Sequence, residues 1–297
     1  MKPLTLKLKQ KITYRIDMSF LSDAYKYKSI KHFMSKKIIY GNQEFKVSEL
    51  FSVTGNQLNN IVIKSAIPLM DNIGYKQQGI RMNVYGNIGY SFGKQMVSGS
   101  LVLHGNALDY AASGMKGGKI FIYGNAGDHF GAKPNAGNEG ILDGFIYVKG
   151  NVGNDSFQRV RRGNIIIDGN IGNDACREMI SGSILIKGSI GNSFGIDIKR
   201  GSIFIKDRKL TRDYTQSNDA EYNFIKFYLT QLKSILKKKI FLEKKKLKRY
   251  MEIRIKIIYQ KYFYSPLNVL LEMIIHDFCK EHFHPFRRKI TFTHCSI

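Results

Sequence analysis

Cysteine, proline and long apolar runs are all scarce in this chain. The three cysteines are far apart and odd in number, which argues against a disulfide framework and favours a reducing compartment. No apolar stretch reaches the about 18 residues of a transmembrane helix, and the start of the chain lacks the apolar block of a signal peptide. We therefore expect a cytoplasmic protein with no membrane partner.

Acidic residues are also few, since 47 Lys and Arg stand against 23 Asp and Glu and give a formal charge of +24. Basic patches bind phosphate backbones, so this imbalance raises the question of a nucleic-acid partner. The excess of basic residues is concentrated in residues 233–256, which contain 11 Lys and Arg but only two acidic residues, Glu243 and Glu252. A nucleic-acid partner is therefore not our main expectation. A basic protein that binds nucleic acid or an anionic surface stays an alternative.

One short phrase recurs along the middle of the chain. It is an aliphatic segment that ends in Gly and usually Asn, as in Leu103-His104-Gly105-Asn106. The recurring glycines stand in steps of 19, 19, 26, 19 and 19 residues, and they are Gly86, Gly105, Gly124, Gly150, Gly169 and Gly188. A fixed step of this length is typical of a solenoid built from stacked coils.

Alternation within each segment predicts which side chains face the interior. The first and third residues of the strands are aliphatic, as Ile165 and Ile167 are, and period-2 side chains share one face of a strand. Two more apolar columns recur once per coil, one beginning with Ile88 and one with Met96. We predict an all-β fold: a single-stranded right-handed parallel β-helix of 19-residue coils, with an N-terminal β cap and a C-terminal helical tail. A left-handed hexapeptide helix would instead repeat an aliphatic residue at every sixth position.

The Gly-Asn pairs mark the corners of the coils. Gly and Asn tolerate positive φ, so we expect that backbone conformation at each corner. Stacking would bring five asparagines into a ladder whose side-chain amides bond one another between coils: Asn87, Asn106, Asn125, Asn151 and Asn170. A phosphate-binding glycine loop is rejected, because no copy precedes a helical pattern and a dinucleotide fold needs one such loop.

The pattern divides the chain into three parts. We interpret residues 1–50 as an N-terminal cap, 51–208 as the glycine-repeat β-helix and 209–297 as a basic helical tail. Phe51-Ser52-Val53 before Gly55-Asn56 predicts a first, imperfect coil, and residues 60–65 predict another. Apolar residues at helical spacing within 225–240 predict the helix of the tail.

The candidate functional surface consists of an outward column and an inserted loop. The middle residues of the strands are apolar or aromatic in six of seven coils, and soluble monomers rarely leave such a stripe uncovered. The longer step between Gly124 and Gly150 places an insertion at 133–139, and solenoids expel insertions outward as loops. We predict that this surface is covered by the chain's own tail or by another subunit. The candidate interface residues are Val102, Phe121, Tyr147, Ile166, Leu185, Phe204, Lys133, Asn135 and Glu139.

No catalytic, cofactor-binding or metal-binding residue is predicted in this chain. Polar residues of potential chemistry occur in the repeat only as scattered singles, which are His104, Asp128, His129 and Asp174. In the tail, a set of residues could ligate zinc in principle, but its spacing follows no established zinc pattern. That set is His276, Cys279, His282, His284, His294 and Cys295.

The repeat resembles one family in detail. Gly124-Asn125-Ala126-Gly127-Asp128, Ser113-Gly114-Met115-Lys116-Gly117-Gly118 and the phased insertion are similar to the β-helical C subunit of formylmethanofuran dehydrogenase and to its counterpart in the bacterial formyltransferase/hydrolase complex. The resemblance covers about residues 1–230 and includes Arg15-Ile16-Asp17 and Glu49-Leu50-Phe51. The large subunit of glutamate synthase carries the same β-helix at the end of a far longer chain.

The resemblance implies a scaffold subunit in one-carbon metabolism, of the formaldehyde/formate or the methanogenic type. The implied partners are an amidohydrolase-type subunit together with a formyltransferase subunit, or with a molybdenum or tungsten subunit. A methanofuran-type carrier and a metal (zinc, molybdenum or tungsten) would be held by those partners, and the formyl group would pass to tetrahydromethanopterin. No catalytic residue or cofactor is implied in this chain. A glutamate-synthase-like module is an alternative.

Residues 252–297 depart from the family pattern. The resemblance implies an end soon after a basic-aromatic stretch like Leu247-Lys248-Arg249-Tyr250-Met251, whereas here the chain continues with a segment rich in Ile, Phe, His and Lys. One hypothesis is a frameshift near codon 251, which resequencing of that region would test.

Overall fold

The computed structural model describes residues 2–206, 215–216 and 255–259, all within the first of two compact units. The helices are a 3₁₀ helix (Ser19–Lys26), α1 (Ile30–Met34) and α2 (Val47–Leu50). The strands are β1 (Pro3–Leu8), β2 (Ile16–Asp17), β3 (Lys37–Tyr40), β4 (Gln43–Lys46), β5 (Phe51–Thr54), β6 (Gln57–Ala66), β7 (Met70–Asp71), β8 (Arg81–Gly86), β9 (Ser100–His104), β10 (Lys119–Ile122), β11 (Phe145–Val148), β12 (Asn164–Ile167), β13 (Ser183–Ile186), β14 (Ser202–Lys206), β15 (Thr215–Gln216) and β16 (Ile255–Tyr259). The predicted helix at 225–240 lies outside the described residues, and the predicted three-part division stays a prediction.

The strands of the repeat stack in parallel, one per coil. Strands β6 and β8 to β14 are neighbours in a single sheet, and Met82 of β8 lies beside Leu101 of β9. The register holds across the insertion as well, because Ile120 lies beside Ile146. The described chain is mostly β and forms a parallel β-solenoid of about eight turns, which confirms the predicted fold class.

The core is one continuous cluster that fills the inside of the coils. The predicted inward residues are buried, with Ile165 and Ile167 both at 0% exposure, except that Ile190 in the last coil is partly buried. One side of the coil was not assigned from the sequence, and it is filled by phenylalanines such as Phe157, also 0% exposed. Gly131 leaves room for that ring, since a Cβ there would lie 3.0 Å from Phe157 Cδ1. Large and small residues therefore interdigitate between coils, as close packing demands.

The corner glycines are required for a different reason from the one predicted. Of the six recurring glycines only Gly86 has a positive φ, of 117°, so the predicted positive φ at each corner is wrong. A Cβ on Gly150 would lie 2.5 Å from the carbonyl oxygen of Gly124 and closer still to Oδ1 of Asn125. Glycine is needed there because the backbone of the preceding coil passes too close for any side chain.

The asparagine ladder is present but is bonded differently from the prediction. Oδ1 of Asn87 accepts the backbone N–H of Asn106 at 2.9 Å, and Oδ1 of Asn106 accepts that of Asn125 at 2.7 Å. The predicted bonds between side-chain amides are therefore replaced by bonds from the backbone. In-register stacking puts the next corner's N–H directly over each Oδ1, and that N–H would otherwise lack a partner in the coil.

The N-terminal segment continues the solenoid sheet before it turns back. Strand β1 lies parallel to β6, with Leu4 beside Ile61, and antiparallel to β5, with Leu6 beside Val53. The predicted coil at residues 51–56 is therefore wrong, because β1 already occupies the position beside β6 and β5 can only run back along it. The predicted coil at 60–65 is confirmed by β6.

A second, four-stranded sheet in the order β4-β3-β2-β7 accompanies this end of the solenoid. No helix in the described part of the chain is long and apolar enough to cross a membrane.

Candidate functional site

The predicted outward column lies on the strands of the parallel sheet, in register from coil to coil. Phe121 lies beside Val102 on one side and beside Tyr147 on the other. Ile166 follows Tyr147 in the same row. Since each of these residues stands between two inward ones, the strand geometry forces their side chains onto the opposite face.

Most of this column is shielded within the single chain. Val102, Phe121, Ile166 and Phe204 are exposed by only 8%, 3%, 2% and 1%. Tyr147 and Leu185 are half-buried. A binding partner that reached this face would therefore meet Tyr147 and Leu185 first. The role of the outward column as a partner interface stays a prediction.

A hydrogen-bonded network of three polar side chains crosses the outward column at Tyr147. The Tyr147 hydroxyl donates to Oδ2 of Asp168 at 2.6 Å, and the Lys187 ammonium lies 2.5 Å from Oδ1 of the same carboxylate. All three residues are partly buried, so the pair is less screened than an exposed one. This network places one group of held polar side chains within the otherwise apolar column.

Exposed aromatic rings stack beside the column at the ends of β8 to β10. The ring of His104 lies between those of Tyr85 and Tyr123, with centroid distances of 4.5 and 5.1 Å. His129 stacks in the same way on Tyr110, at 4.8 Å. The scattered histidines of the repeat are thus members of stacked rows.

The inserted loop is anchored to the coils on both sides. Pro134 is buried and would contact a Cβ on Gly114 at 3.1 Å. Glu139 forms an ion pair with Arg161, and the Arg159 side chain donates to the carbonyl oxygen of Asn138.

These anchors leave the tip of the loop in solvent. Asn135 is exposed and Lys133 is half-buried. Arg159 also holds Glu178 at 2.7 Å on the next coil, which ties the loop to two coils. The sequence could not show these anchors, because Glu139 and Arg161 lie 22 residues apart.

A second ladder runs beside the asparagine ladder and was missed in the sequence. Oδ1 of Asp128 accepts the N–H of Asn154 at 2.7 Å, and Oδ1 of Asn154 accepts that of Asn173 at 2.9 Å. The signal was a second Asn or Asp three positions after four of the five corner asparagines. Asp128 is therefore a ladder residue.

Two kinds of reactive group bear on catalysis by the described residues, a cysteine thiol and a cluster of possible metal ligands. Cys176 is buried, and burial raises the pKa of its thiol well above the usual range, so the thiolate is scarce in this structure. No group of three or more His, Cys, Asp or Glu within the described ranges could hold a metal ion. The possible zinc ligands of the tail lie outside the described residues.

The coils, corner glycines and two ladders define a glycine-repeat parallel β-solenoid. The family model described as the GXGXG motif matches residues 28–256. This is more than half of the chain, and the chain belongs to the GXGXG motif family.

Comparison with solved structures gives a second finding. This chain is similar to a chain in the crystal structure of the formyltransferase/hydrolase complex (FhcABCD) from Methylorubrum extorquens in complex with methylofuran. The identity is 25%, the TM-score is 0.69, and the match covers 78% of this chain and 88% of that chain. No curated protein matches the chain. The resemblance stated from the sequence is confirmed, and the similarity supports a place as a subunit of an enzyme complex.

Proposed function

We propose that this chain is a non-catalytic scaffold subunit of a formyltransferase/hydrolase-type complex in one-carbon metabolism. The observation that carries the proposal is the structural similarity over 88% of a chain from such a complex. The proposed partners are an amidohydrolase-type subunit and a formyltransferase subunit of the same complex.

The geometry supports a scaffold because it offers a rigid surface rather than a reactive pocket. Backbone bonds join each coil to the next, and the two ladders add side-chain acceptors at the corners. The half-buried Tyr147 and Leu185 and the anchored loop at 133–139 supply fixed contact points on that frame. A partner docked there would lose little conformational entropy from this chain.

Cofactor chemistry belongs to the partners in this proposal. A methanofuran-type carrier and a catalytic metal, zinc in a hydrolase or molybdenum or tungsten in a dehydrogenase, would be bound by other subunits. Methylofuran is present in the similar bacterial complex. We favour the hydrolase and transferase form, since the structural similarity is to a complex of that kind, and we place the assembly in the cytoplasm.

Reconstitution tests the proposal directly. The chain is co-expressed with an amidohydrolase-type and a formyltransferase subunit, and release of formate from a formylated carrier is assayed with and without it. We expect a stable assembly when this chain is present. Without it, the partners should fail to assemble, while each partner should keep its own metal. A monomer that binds neither partner would contradict the proposal, and a molybdenum or tungsten subunit as the partner would favour the dehydrogenase form.

A pair of variants locates the interface. Leu185→Lys places a charge on the half-buried outward column, whereas Ile39→Lys places one at a side chain 68% exposed on the N-terminal hairpin β3–β4. We expect Leu185→Lys to weaken assembly about tenfold or more, because a charge buried in an apolar contact is costly. Equal assembly by the two variants, with unchanged free energies of unfolding, would show that the outward column is not part of the interface.

A further inference from the structure

One edge of the solenoid alternates apolar and basic side chains from coil to coil. Each of its residues directly follows a member of the inward column that contains Met96, so its side chain points outward. In chain order these residues are Val97, Lys116, Leu142, Arg161, Ile180 and Lys199, and we refer to them as the alternating edge.

Backbone hydrogen bonds fix the spacing along this edge. The N–H of Leu142 donates to the carbonyl oxygen of Met115 at 2.7 Å, and that of Arg161 donates to Ile141 at 2.8 Å. The same bond to the preceding coil holds Ile180 and Lys199. Successive edge residues are therefore one coil apart, about 4.8 Å, and residues of the same kind recur every second coil, at about 9.6 Å.

The basic residues of the edge are accessible and have affinity for carboxylates. Lys116 and Lys199 are exposed and have no ion-pair partner among the described residues. Arg161 is 50% exposed although it pairs with Glu139 through a single Nη1 contact. A guanidinium has five N–H donors, so this contact leaves room for a second carboxylate. Between them, Leu142 and Ile180 are half-buried and present apolar surface.

We propose that the alternating edge docks an amphipathic α-helix of a partner protein, one with acidic side chains seven residues apart and aliphatic side chains between them. A helix rises about 1.5 Å per residue, so positions i and i+7 are about 10.5 Å apart. That distance is close to the two-coil repeat of the basic residues. Positions i+3 and i+4 then face the apolar residue of the intervening coil.

Other ligands fit the edge less well. Side chains on one face of an extended strand recur at about 6.8 Å, out of step with the edge. A nucleic acid would place phosphates against an unbroken row of cations, whereas the cations of the edge are separated by apolar residues. Beside the edge lie both acidic residues, Glu139 and the exposed Asp143, and basic ones, the exposed Arg162 and Arg200. The edge therefore suits a protein helix.

This inference does not depend on the proposed function. No residue of the alternating edge belongs to the outward column, but Arg161 also anchors the inserted loop through Glu139. The variants Lys116→Gln and Lys199→Gln are therefore the ones that leave the proposed subunit contacts intact. Failure of the edge to bind a helix would leave the proposed subunit role untouched, and failure of that role would leave the edge available to another partner.

The test uses a fluorescent synthetic peptide helix with Glu at every seventh position and Leu three and four positions later. Its affinity is measured for the full-length chain and for the triple variant Lys116→Gln, Arg161→Gln, Lys199→Gln. A control triple, Lys11→Gln, Lys28→Gln, Lys31→Gln, removes the same charge from three exposed lysines elsewhere. A second peptide carries Lys in place of Glu, and a thymidine oligonucleotide serves as the nucleic-acid probe.

We expect the edge triple to weaken binding of the Glu peptide about tenfold, or about 1.4 kcal/mol, because three exposed charge pairs that are each weak are lost together. The control triple should change it less than about twofold, and the Lys peptide should not bind. Equal weakening by both triples, or no binding of the Glu peptide, would overturn the proposal. Tighter binding of the oligonucleotide that is lost in the edge triple would overturn it in favour of a nucleic-acid surface. Unfolding in urea is measured for both triples, so that a folding defect is recognised as such.

Discussion

Oδ1 of Asn125 accepts the backbone N–H of Asn151 at 2.8 Å, although the two residues are 26 positions apart. The preceding pair, Asn106 and Asn125, makes the same bond at 2.7 Å across 19 positions. The ladder therefore continues past the insertion as if it were absent. The coil keeps its own length, and the extra residues leave it as the loop at 133–139.

Removing one ladder side chain should destabilise the solenoid. In Asn125→Ala the N–H of Asn151 loses its acceptor, so we expect the free energy of unfolding to fall by about 1 kcal/mol. Urea unfolding measures the change. The control is Asn135→Ala at the exposed tip of the loop, for which we expect a change below about 0.5 kcal/mol. The same loss in both variants would contradict a specific contribution of the ladder.

Substitution by asparagine should destabilise two glycine positions to different extents. Gly79 has a φ of +70° and open space around it, and Asn tolerates this conformation. Gly150 has no positive φ, but a Cβ there would lie 2.5 Å from the carbonyl oxygen of Gly124. We expect Gly79→Asn to cost about 1 kcal/mol at most and Gly150→Asn to cost about 3 kcal/mol or more.

Urea unfolding of both glycine variants separates the two explanations for the corner glycines. If Gly79→Asn proved the more costly of the two, close stacking would not be the reason that glycine recurs at the corners.

The inserted loop should be removable without loss of the fold. Deletion of residues 133–139 joins Ala132 to Gly140 and restores the 19-residue step. We expect cooperative unfolding with a free energy within about 2 kcal/mol of the parent, because the loss is limited to the surface contacts of Pro134, Asn138 and Glu139. A matched deletion of seven residues from a regular coil, 152–158, should abolish folding, since it removes part of the core. Failure of the loop deletion to fold would show that the loop is part of the coil.

Cys176 should report on opening of the solenoid. Its side chain is fully buried, and burial raises the pKa of the thiol, so the reactive thiolate is scarce and inaccessible in the folded state. In a variant with Cys279→Ser and Cys295→Ser, we expect a thiol reagent at pH 8 to label Cys176 only at urea concentrations that unfold the protein. Labelling of the native protein at the rate of a free cysteine would contradict this burial.

The sequence predicted the regular parts of the fold because each coil repeats the same local pattern. Alternation assigned Ile165 and Ile167 to the interior, and the 19-residue step assigned the register. The corner glycines were assigned to the right places for the wrong reason. Close approach of two backbones depends on coils that are distant in sequence, and no local pattern records it.

The irregular parts were less predictable. Strand β5 runs antiparallel because β1 takes the position beside β6. The order of strands in a sheet is not encoded in the local sequence pattern of β5. In the candidate site, the outward column and the loop were identified from periodicity. The ion pair of Glu139 with Arg161 and the network around Asp168 could not be, since each joins side chains on different coils.

The central claim is that this chain is a structural subunit of a formyl-handling enzyme complex. Its most direct test is purification of the tagged chain from its own cells at low salt, followed by native mass spectrometry of the intact assembly. We predict an assembly of fixed stoichiometry that contains a hydrolase and a formyltransferase subunit and loses both when Leu185→Lys is introduced. A monomeric chain, or an assembly with neither activity, would contradict the claim.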